Sequence, residues 1–394
     1  MRSQQVIATL ATLGTIDLFS LVYPNRPDPC DLPPGVEVAR LEIVTGSKPI
    51  YSARRRLRWL ATRGRPLEVI AAQSDRVRAH FDAWVDGPYD LVWVSRASTF
   101  ELLGRPVLGR TIVDFDDLED QKIRGRLDAM RRQPPAGGLR GRILREATAL
   151  QGRRNALRWT QMQEKVAESV DTVVLCSQDD MTVADLPNAV IVPNGYEPPS
   201  HPVGNNVVGD PPIILFQGSM RYGPNTDGAS WFVNDIAPLI RQQLPHVRVR
   251  LAGDPDGVVA ALDHPPEVTV VGYVASIEVE LGKADLVVAP LRYASGTRLK
   301  ILEALAHRIP VVSTTVGAQG LGLEAGRHLL VADDPESFAQ ACVSALTEPL
   351  LRANLVDEGE AVFLQNHQWS QARQRIRALA LNNPAPASSG SGSL

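Results

Sequence analysis

Residues 295–320 of this 394-residue chain read Ser295-Gly-Thr-Arg-Leu-Lys-Ile-Leu-Glu-Ala-Leu-Ala-His-Arg-Ile-Pro-Val-Val-Ser-Thr-Thr-Val-Gly-Ala-Gln-Gly320. An apolar run from Ala284 to Pro290 precedes them and predicts a buried parallel strand. Gly296 and Thr297 then open a predicted helix, with Thr297 as its N-cap. Four apolar residues recur in it at helical spacing and would face the core: Leu299, Leu302, Leu305 and Ala306. A second apolar run, Ile309 to Ser313, follows. The pattern is strand, tight turn, helix, strand.

The polar residues of that predicted helix carry an unusual arrangement of charge. Lys300, Glu303 and His307 would share its exposed face. A helix N-terminus disfavours cations, yet Arg298 and Lys300 both fall in the predicted first turn. Two cations beside free backbone N–H groups are stable when an anion occupies the site, and phosphate is the usual one. The alternative is that both cations are solvated and that Lys300 pairs with Glu303. The surrounding sequence favours phosphate.

Length and composition indicate a globular protein of two domains. The chain exceeds one ordinary domain, and its 44% hydrophobic and 22% charged residues are typical of globular proteins. The net charge of −3 implies no bulk attraction to nucleic acid. No apolar run approaches the roughly 20 residues of a membrane span. The scattered Cys30, Cys176 and Cys342 suit a reducing cytosol. Neither the cysteines nor the seven histidines show ligand spacing, so no metal is predicted.

Strand and helix patterns alternate along the chain in two blocks. In the first block, apolar runs predict strands over Thr15–Val22, Val36–Val44, Asp90–Ser95, Thr111–Phe115, Val170–Cys176 and Ala189–Val192. In the second block, they predict strands over Ile213–Phe216, Val247–Ala252, Val268–Val271, Leu286–Ala289, Val311–Ser313 and Leu329–Val331. Repeated β-α-β units predict an α/β fold with mainly parallel, doubly wound sheets. The expected domains are residues 1–200 and 201–365. A helix over 366–381 would pack back on the first domain, and 382–394 would form a flexible tail.

The second block resembles the donor-binding half of the retaining GT-B glycosyltransferases of family 4, the group 1 glycosyl transferases. The resemblance is carried by six segments in matching order and spacing: Phe216-Gln-Gly-Ser-Met…Pro224-Asn, Leu251-Ala-Gly, Val271-Gly-Tyr, Ala284-Asp-Leu-Val-Val-Ala-Pro290, Gly296-Thr-Arg-Leu-Lys-Ile-Leu-Glu-Ala-Leu-Ala306 and Pro310-Val-Val-Ser-Thr-Thr…Gly320-Leu. It covers nearly all of the chain to about residue 380 and is strongest from 213 to 345.

This resemblance implies two Rossmann-like domains that face each other across a cleft, the GT-B fold. The N-terminal domain would bind the acceptor, and the C-terminal domain a nucleotide-diphosphate sugar, which is a co-substrate and not a cofactor. Arg298 and Lys300, with the amides of Gly296 and Thr297, would hold the diphosphate and stabilise the leaving group without a metal. Glu303 would accept hydrogen bonds from the ribose hydroxyls. The expected catalytic residues are thus Arg298, Lys300 and Glu303.

The resemblance also suggests further binding residues. The Gly218 turn, which contains Arg221, would let the backbone approach the donor diphosphate. Gly272 and Tyr273 lie where the family places its nucleobase-contacting loop, although ordinary packing would also account for Tyr273. The first block resembles the family more loosely, and its acceptor-side candidates are Arg96, Asp116, Asp117 and Asn194.

Three departures from the family pattern stand out. Ser295 occupies the position of the first of two family glutamates. The segment Asp114-Phe-Asp-Asp117 lacks the family's histidine, so its sugar-contacting role does not carry over. The strand and Gly-Gly loop that normally precede the first helix are absent before Arg2, so an N-terminal strand is expected to be missing.

The leading hypothesis is a retaining, metal-independent, hexosyltransferase-type glycosyltransferase. Its acceptor would be a cell-envelope or exopolysaccharide glycan, a lipid-linked glycan or a small molecule. One alternative is a GT-B-shaped binding or partner protein without catalysis, which the three departures motivate. A lower alternative is a nucleotide-sugar epimerase, which needs an acid/base pair beside the sugar. The dense acid cluster Asp114–Asp120 belongs to the opposite block, which argues against it.

Positive charge is concentrated in the first block. Residues 121–165 contain twelve Lys or Arg against three acidic residues, and Arg54 to Arg65 contains six arginines and no acid. Solvated helix faces or an arginine-rich composition could produce such runs. The functional alternative is an anionic membrane surface or a lipid-phosphate-linked acceptor. We therefore expect a cytoplasmic enzyme that docks reversibly on the inner leaflet.

Overall fold

The computed structural model describes residues 2–22, 32–46, 51–62, 64–72, 74–132, 138–204, 207–294 and 296–382. The chain divides into two units by its internal contacts. The first comprises Met1–Arg124, Pro135–Pro193 and Trp369–Leu394, and the second comprises Gly125–Pro134 and Asn194–Gln368. The main division therefore falls at 193/194, whereas the sequence suggested 200/201.

Two parallel sheets form the first unit. One pairs β1 (Asp17–Val22) with β2 (Arg40–Thr45). The other contains, in order, β3 (Leu91–Ser95), β4 (Arg110–Asp114), β5 (Thr172–Leu175) and β6 (Ala189–Ile191). Among the described residues no strand precedes β1, and a helix, α1 (Arg2–Ala11), comes first.

Helices cover both faces of the four-stranded sheet. Successive side chains along each strand point to opposite faces, so both faces have side chains for helices to pack on. Ile112 and Val174 pack with Val6 and Trp369 on one face, whereas their neighbours Val113 and Val173 pack on the other. The further helices that begin in this unit are α2 (Ala53–Ala61), α3 (Leu67–Ala71), α4 (Ser74–Trp84), α5 (Ala97–Leu102), α6 (Glu119–Arg132), α7 (Gly138–Ala167), α8 (Gln178–Ala184) and α17 (Trp369–Ala380).

The second unit is built on one parallel sheet of six strands in the order β12-β11-β10-β7-β8-β9. Its strands are β7 (Ile213–Gln217), β8 (Arg248–Ala252), β9 (Val268–Gly272), β10 (Leu286–Ala289), β11 (Val311–Ser313) and β12 (Leu330–Val331). Strand order runs outward from β7 in one direction and from β10 in the other. Open α/β sheets bind ligands at the carboxyl ends of strands where the order reverses, and here that point lies between β7 and β10.

Helices also flank this second sheet on both faces. They are α9 (Gly223–Trp231), which continues through a π-helical turn (Phe232–Ile236) into α10 (Ala237–Gln243), α11 (Gly257–Ala260), α12 (Glu278–Leu281), α13 (Leu299–Ala306), α14 (Thr315–Ala318), α15 (Pro335–Thr347) and α16 (Pro349–Asn366). Ile214 and Val288 pack on one face of the sheet, and Leu215 and Val287 pack on the other. The α/β class with parallel sheets is therefore confirmed. None of the helices in the described ranges combines the length and apolarity required to cross a bilayer.

Candidate functional site

The start of α13 fixes the positions of the charged residues that follow β10. Its N-cap is Arg298, which makes no side-chain capping bond, so the prediction of Thr297 as N-cap was wrong. Arg298 is instead anchored by its guanidinium, which donates to the carbonyl oxygens of Gly296 and Val316. Thr297 accepts a hydrogen bond through Oγ1 from Asn194 Nδ2 at 2.9 Å. The helix thus begins one residue later than its sequence pattern indicates.

Lys300 lies in the first turn of α13 against the end of β7. Its Nζ donates to Asn225 Oδ1 at 2.7 Å and lies 4.3 Å from the centre of the Phe216 ring. Burial lowers the pKa of Lys300 to about 7, although the Glu303 carboxylate opposes this shift. Because a desolvated ammonium is costly, an anion bound here would stabilise the charged form.

Glu303 lies one turn further along α13. Its Oε2 accepts a hydrogen bond from Gln217 Nε2 at 2.7 Å. Burial raises the pKa of Glu303, and the charge of Lys300 partly offsets this rise. Burial, with a contribution from Glu303, also raises the pKa of Tyr196 to about 12.

The prediction that Lys300, Glu303 and His307 form an exposed face was wrong. His307 is fully buried, and the other two are half-buried. The physical reason is that this face of α13 packs inside the second unit. It meets the end of β7 near Lys300 and Glu303, and Tyr196 near His307, where the two ring centres are 6.2 Å apart.

Glycines lie at the ends of three neighbouring strands, and the first of them is beside Lys300. Gly218 follows β7 with φ +136°, Gly253 follows β8 with φ +137°, and Gly272 ends β9 with φ +78°. A Cβ on Gly218 would lie 3.2 Å from Lys300 Nζ and 2.8 Å from Asn225 Nδ2. The two glycine turns are also in close backbone contact, because a Cβ on Gly253 would lie 1.8 Å from the Gly218 carbonyl oxygen. Only glycine suits these turns.

Two other donor-side candidates lie on exposed loops at this edge of the sheet. Arg221 forms an ion pair with Asp254 at 2.5 Å, and both side chains are more than half exposed. Such a surface pair contributes little to stability. Tyr273, directly after Gly272, is 80% exposed. The structure therefore brings Gly218, Lys300 and Glu303 together and leaves Arg221 and Tyr273 at the surface.

Candidates in the first unit gather at the carboxyl ends of β3 and β4. Asp114 is buried, and its Oδ2 accepts from Arg2 Nε at 2.7 Å. Burial raises the pKa of Asp114, and Arg2 opposes that shift. Asp116 and Arg96 both have positive φ, +60° and +78°, and their side chains approach to 4.0 Å. Positive φ in residues other than glycine is often associated with functional sites.

The other two first-block candidates have partners of their own, although Asp117 lines the same small pocket as Arg96. Asp117 forms an ion pair with Lys122 at 2.8 Å. Asn194, expected on the acceptor side, belongs to the second unit, where it holds Thr297. β6 ends at Ile191 and the first unit at Pro193, and the acceptor-side role of Asn194 stays a prediction.

Two polar residues at this site were not predicted. Gln217 and Asn225 hold Glu303 and Lys300, respectively. The available signal for Gln217 is that it is a polar side chain at the end of an otherwise apolar strand, and it is 1% exposed. Asn225 belongs to a segment already noted for its family resemblance. Ser295 lies outside the described residues. Across the part of the chain that the structure describes, no three His, Cys, Asp or Glu side chains are grouped to hold a metal ion.

Comparison with solved structures defines the class of fold, which is GT-B. The sucrose-phosphate synthase (tll1590) from Thermosynechococcus elongatus is 17% identical with a TM-score of 0.66, over 97% of this chain and 92% of that one. WaaG, a glycosyltransferase involved in lipopolysaccharide biosynthesis, is 14% identical with a TM-score of 0.62, over 96% and 94%. Anabaena Alr3699/HepE, in complex with UDP and glucose, is 13% identical with a TM-score of 0.56, over 86% of each chain.

Sequence comparison matches the segment that contains the site to a protein family. Residues 211–348 match the family model described as "Glycosyl transferases group 1", which confirms the predicted resemblance of this segment to the group 1 glycosyl transferases. A curated relative, the "Uncharacterized 44.6 kDa protein in cps region" of Klebsiella pneumoniae, is 25% identical over 140 residues. That match spans 33% of this chain and 36% of the relative's length.

Proposed function

We propose that this protein transfers a sugar from a nucleotide-diphosphate donor to an acceptor, with retention of anomeric configuration and without a metal ion. The observation that carries the proposal is the position of Lys300. Its ammonium group is desolvated and held by Asn225 directly beside the Gly218 turn. A diphosphate approaching the backbone at Gly218 would meet this cation.

Leaving-group departure is the step that the site would assist. Negative charge develops on the diphosphate as the glycosidic bond breaks, and fixed cations stabilise it most strongly where water is excluded. Lys300 supplies such a cation, and Arg298 lies two residues earlier with its guanidinium oriented by backbone carbonyls. Glu303, fixed by Gln217, would accept from the donor ribose.

The comparisons support a first choice of donor and acceptor. HepE binds UDP-glucose in one of its structures, and the pneumococcal transferase GtfA binds UDP and GlcNAc. UDP-sugars are therefore the first donors to test. The role of WaaG in lipopolysaccharide biosynthesis and the cps-region relative support a cell-envelope glycan or a lipid-linked acceptor. The proposed reaction takes place in the cytoplasm.

A donor screen followed by turnover tests the proposal. Thermal shift against UDP-, GDP-, ADP- and dTDP-sugars should single out one nucleotide, because ligand at 100 times its Kd adds about 2.7 kcal/mol of stability. Turnover with an acceptor panel should then give a product whose anomeric proton shows retention by NMR. Binding without turnover would favour the inactive binding protein, whereas epimerised donor in the absence of acceptor would favour the epimerase.

Chelation tests metal independence separately. Since Lys300 and Arg298 supply positive charge where other designs use a metal, EDTA should leave the rate unchanged. A rate that is lost in EDTA and restored by magnesium or manganese would overturn this part of the proposal.

A further inference from the structure

The first half of α7 is a solvent-exposed arm with an apolar stripe. Residues 138–154 are all described, and none of them is buried, over a length of about 25 Å. Leu139, Ile143, Leu150 and Leu157 are 74%, 61%, 70% and 52% exposed. At 100° per residue these four side chains fall within about 40° of one another around the helix. Exposed leucines are ordinary when scattered, but an aligned stripe indicates an interaction surface.

The half-buried residues of the same stretch show which side of the helix faces the protein. Gly141, Arg145, Thr148 and Gly152 are half-buried, and helical geometry places them on the side opposite the stripe. The covered side of the arm therefore faces the protein, and the apolar stripe faces solvent.

Cations flank the stripe on both sides. Arg142 and Arg153 lie on one side of it and Arg140 and Arg154 on the other, by the same helical spacing. Residues 138–158 contain six arginines and a single acid, Glu146. A stripe of leucine and isoleucine bordered by arginines is the arrangement of helices that lie in the plane of an anionic lipid surface.

α2 extends this surface beside the stripe. It packs on α7 through Arg158, whose guanidinium lies 4.4 Å from the centre of the Trp59 ring, and through Arg154, which donates to the Leu60 carbonyl oxygen at 3.1 Å. α2 has four arginines and no acid, and its Leu57 is 65% exposed. Both helices belong to the first unit.

We infer that the α2–α7 surface, defined by Ala53–Ala61 and by residues 138–158, docks on anionic phospholipid bilayers. Charge favours an anionic bilayer over a second copy of the chain as the binding partner, because a second copy would bring the same arginines face to face. The inference goes beyond the proposed transferase activity. Lipid binding can be measured without a sugar donor, so the docking inference and the proposed transferase activity can be refuted independently.

Vesicle flotation at physiological salt tests the docking. Vesicles of phosphatidylcholine with 30% phosphatidylglycerol should bind the protein, and pure phosphatidylcholine should bind it far less. The double substitution Arg142→Gln/Arg153→Gln should lower the partition coefficient about 25-fold, because each basic residue near an anionic surface contributes about a fivefold factor. Arg76→Gln, at an exposed position of α4, is the charge control and should bind like the wild type.

A matched leucine pair separates docking from general polyanion attraction. Leu150→Ser should lower the partition coefficient several-fold, whereas Leu350→Ser, at an 83% exposed position on α16, should leave it unchanged. Equal binding by Leu150→Ser and the wild type, or equal binding to both kinds of vesicle, would overturn the inference. Light scattering that shows self-association lost in Leu150→Ser, with no vesicle binding, would assign the surface to a second copy instead.

Discussion

Lys300 is an ammonium group held in the protein with a pKa of about 7 because burial removes its water. The unliganded protein therefore loses this charge as pH rises through 7, whereas a bound diphosphate would restore the proton. The affinity for UDP should fall up to about tenfold per pH unit above 7. Calorimetry in two buffers of different ionisation enthalpy should show proton uptake on binding at pH 7 to 8.

Lys300→Arg provides the control for this titration. A guanidinium stays charged throughout that pH range, so any remaining UDP affinity should be nearly independent of pH. A pH profile unchanged by the substitution would show that another group titrates.

Glu303 offers a test of the ribose contact. Glu303→Ala removes the carboxylate that Gln217 fixes, and loss of one charge-assisted hydrogen bond costs roughly 1.5–3 kcal/mol. We expect kcat/KM for the donor to fall about 10- to 150-fold with little change in Tm. Glu336→Ala, an exposed carboxylate in the first turn of α15, is the control. Wild-type kinetics in Glu303→Ala would contradict the assignment.

The sequence selected candidate site residues where a local pattern marked them, and the structure brings Lys300 and Glu303 together at the end of β7. Arg298, Lys300 and Glu303 were selected by their spacing and by family resemblance. Their surroundings were not predictable, because Gln217 and Asn225 reach them from 86 and 75 residues away. The burial of His307 was missed for the same reason, since Tyr196 comes from a distant part of the chain.

At the level of elements, the close approach of the β7 and β8 turns is the feature most open to test. Gly253→Ala would place a methyl group against the Gly218 carbonyl oxygen at a φ of +137°. The substitution should lower the free energy of unfolding by about 2 kcal/mol or more and weaken UDP binding with it. Urea denaturation measures the first effect.

Gly257→Ala is the matched control on α11. A Cβ there meets nothing within 4 Å, and alanine favours helix, so stability should hold or rise. Equal stability of the two variants would mean that the turns separate easily.

Central strands were the elements that sequence predicted best. Leu286–Ala289 and Val311–Ser313 match the structure residue for residue, because strands buried on both faces give uninterrupted apolar runs. α9 begins at Gly223, with Pro224 in its first turn, a position that proline favours. The short α5 and α8 were missed, because six or seven residues carry little periodic signal.

For the molecule as a whole, stability should differ between the two sheets of the first unit. All six residues of β1 are only half-buried, whereas four of the five residues of β4 are buried. Amides of β1 and β2 should therefore exchange with deuterium at least about 100-fold faster than those of β4 and β5. Equal protection in the two sheets would contradict this expectation. That β1 and β2 form a separate sheet was not evident from the sequence, because strand pairing is non-local.

The described part of each unit also contains a buried thiol, Cys176 in the first and Cys342 in the second, and burial raises the pKa of both above the ordinary value. A thiol that is neither accessible nor ionised reacts only when the surrounding structure opens. Cys30, which lies outside the described residues, would first be replaced by serine. The alkylation rates of the two remaining thiols, measured by peptide mass spectrometry, would then be independent of each other. The rate at Cys176 would time the opening of the first unit, and the rate at Cys342 that of the second. The protein thus contains a native reporter of opening in each unit, and no label has to be engineered.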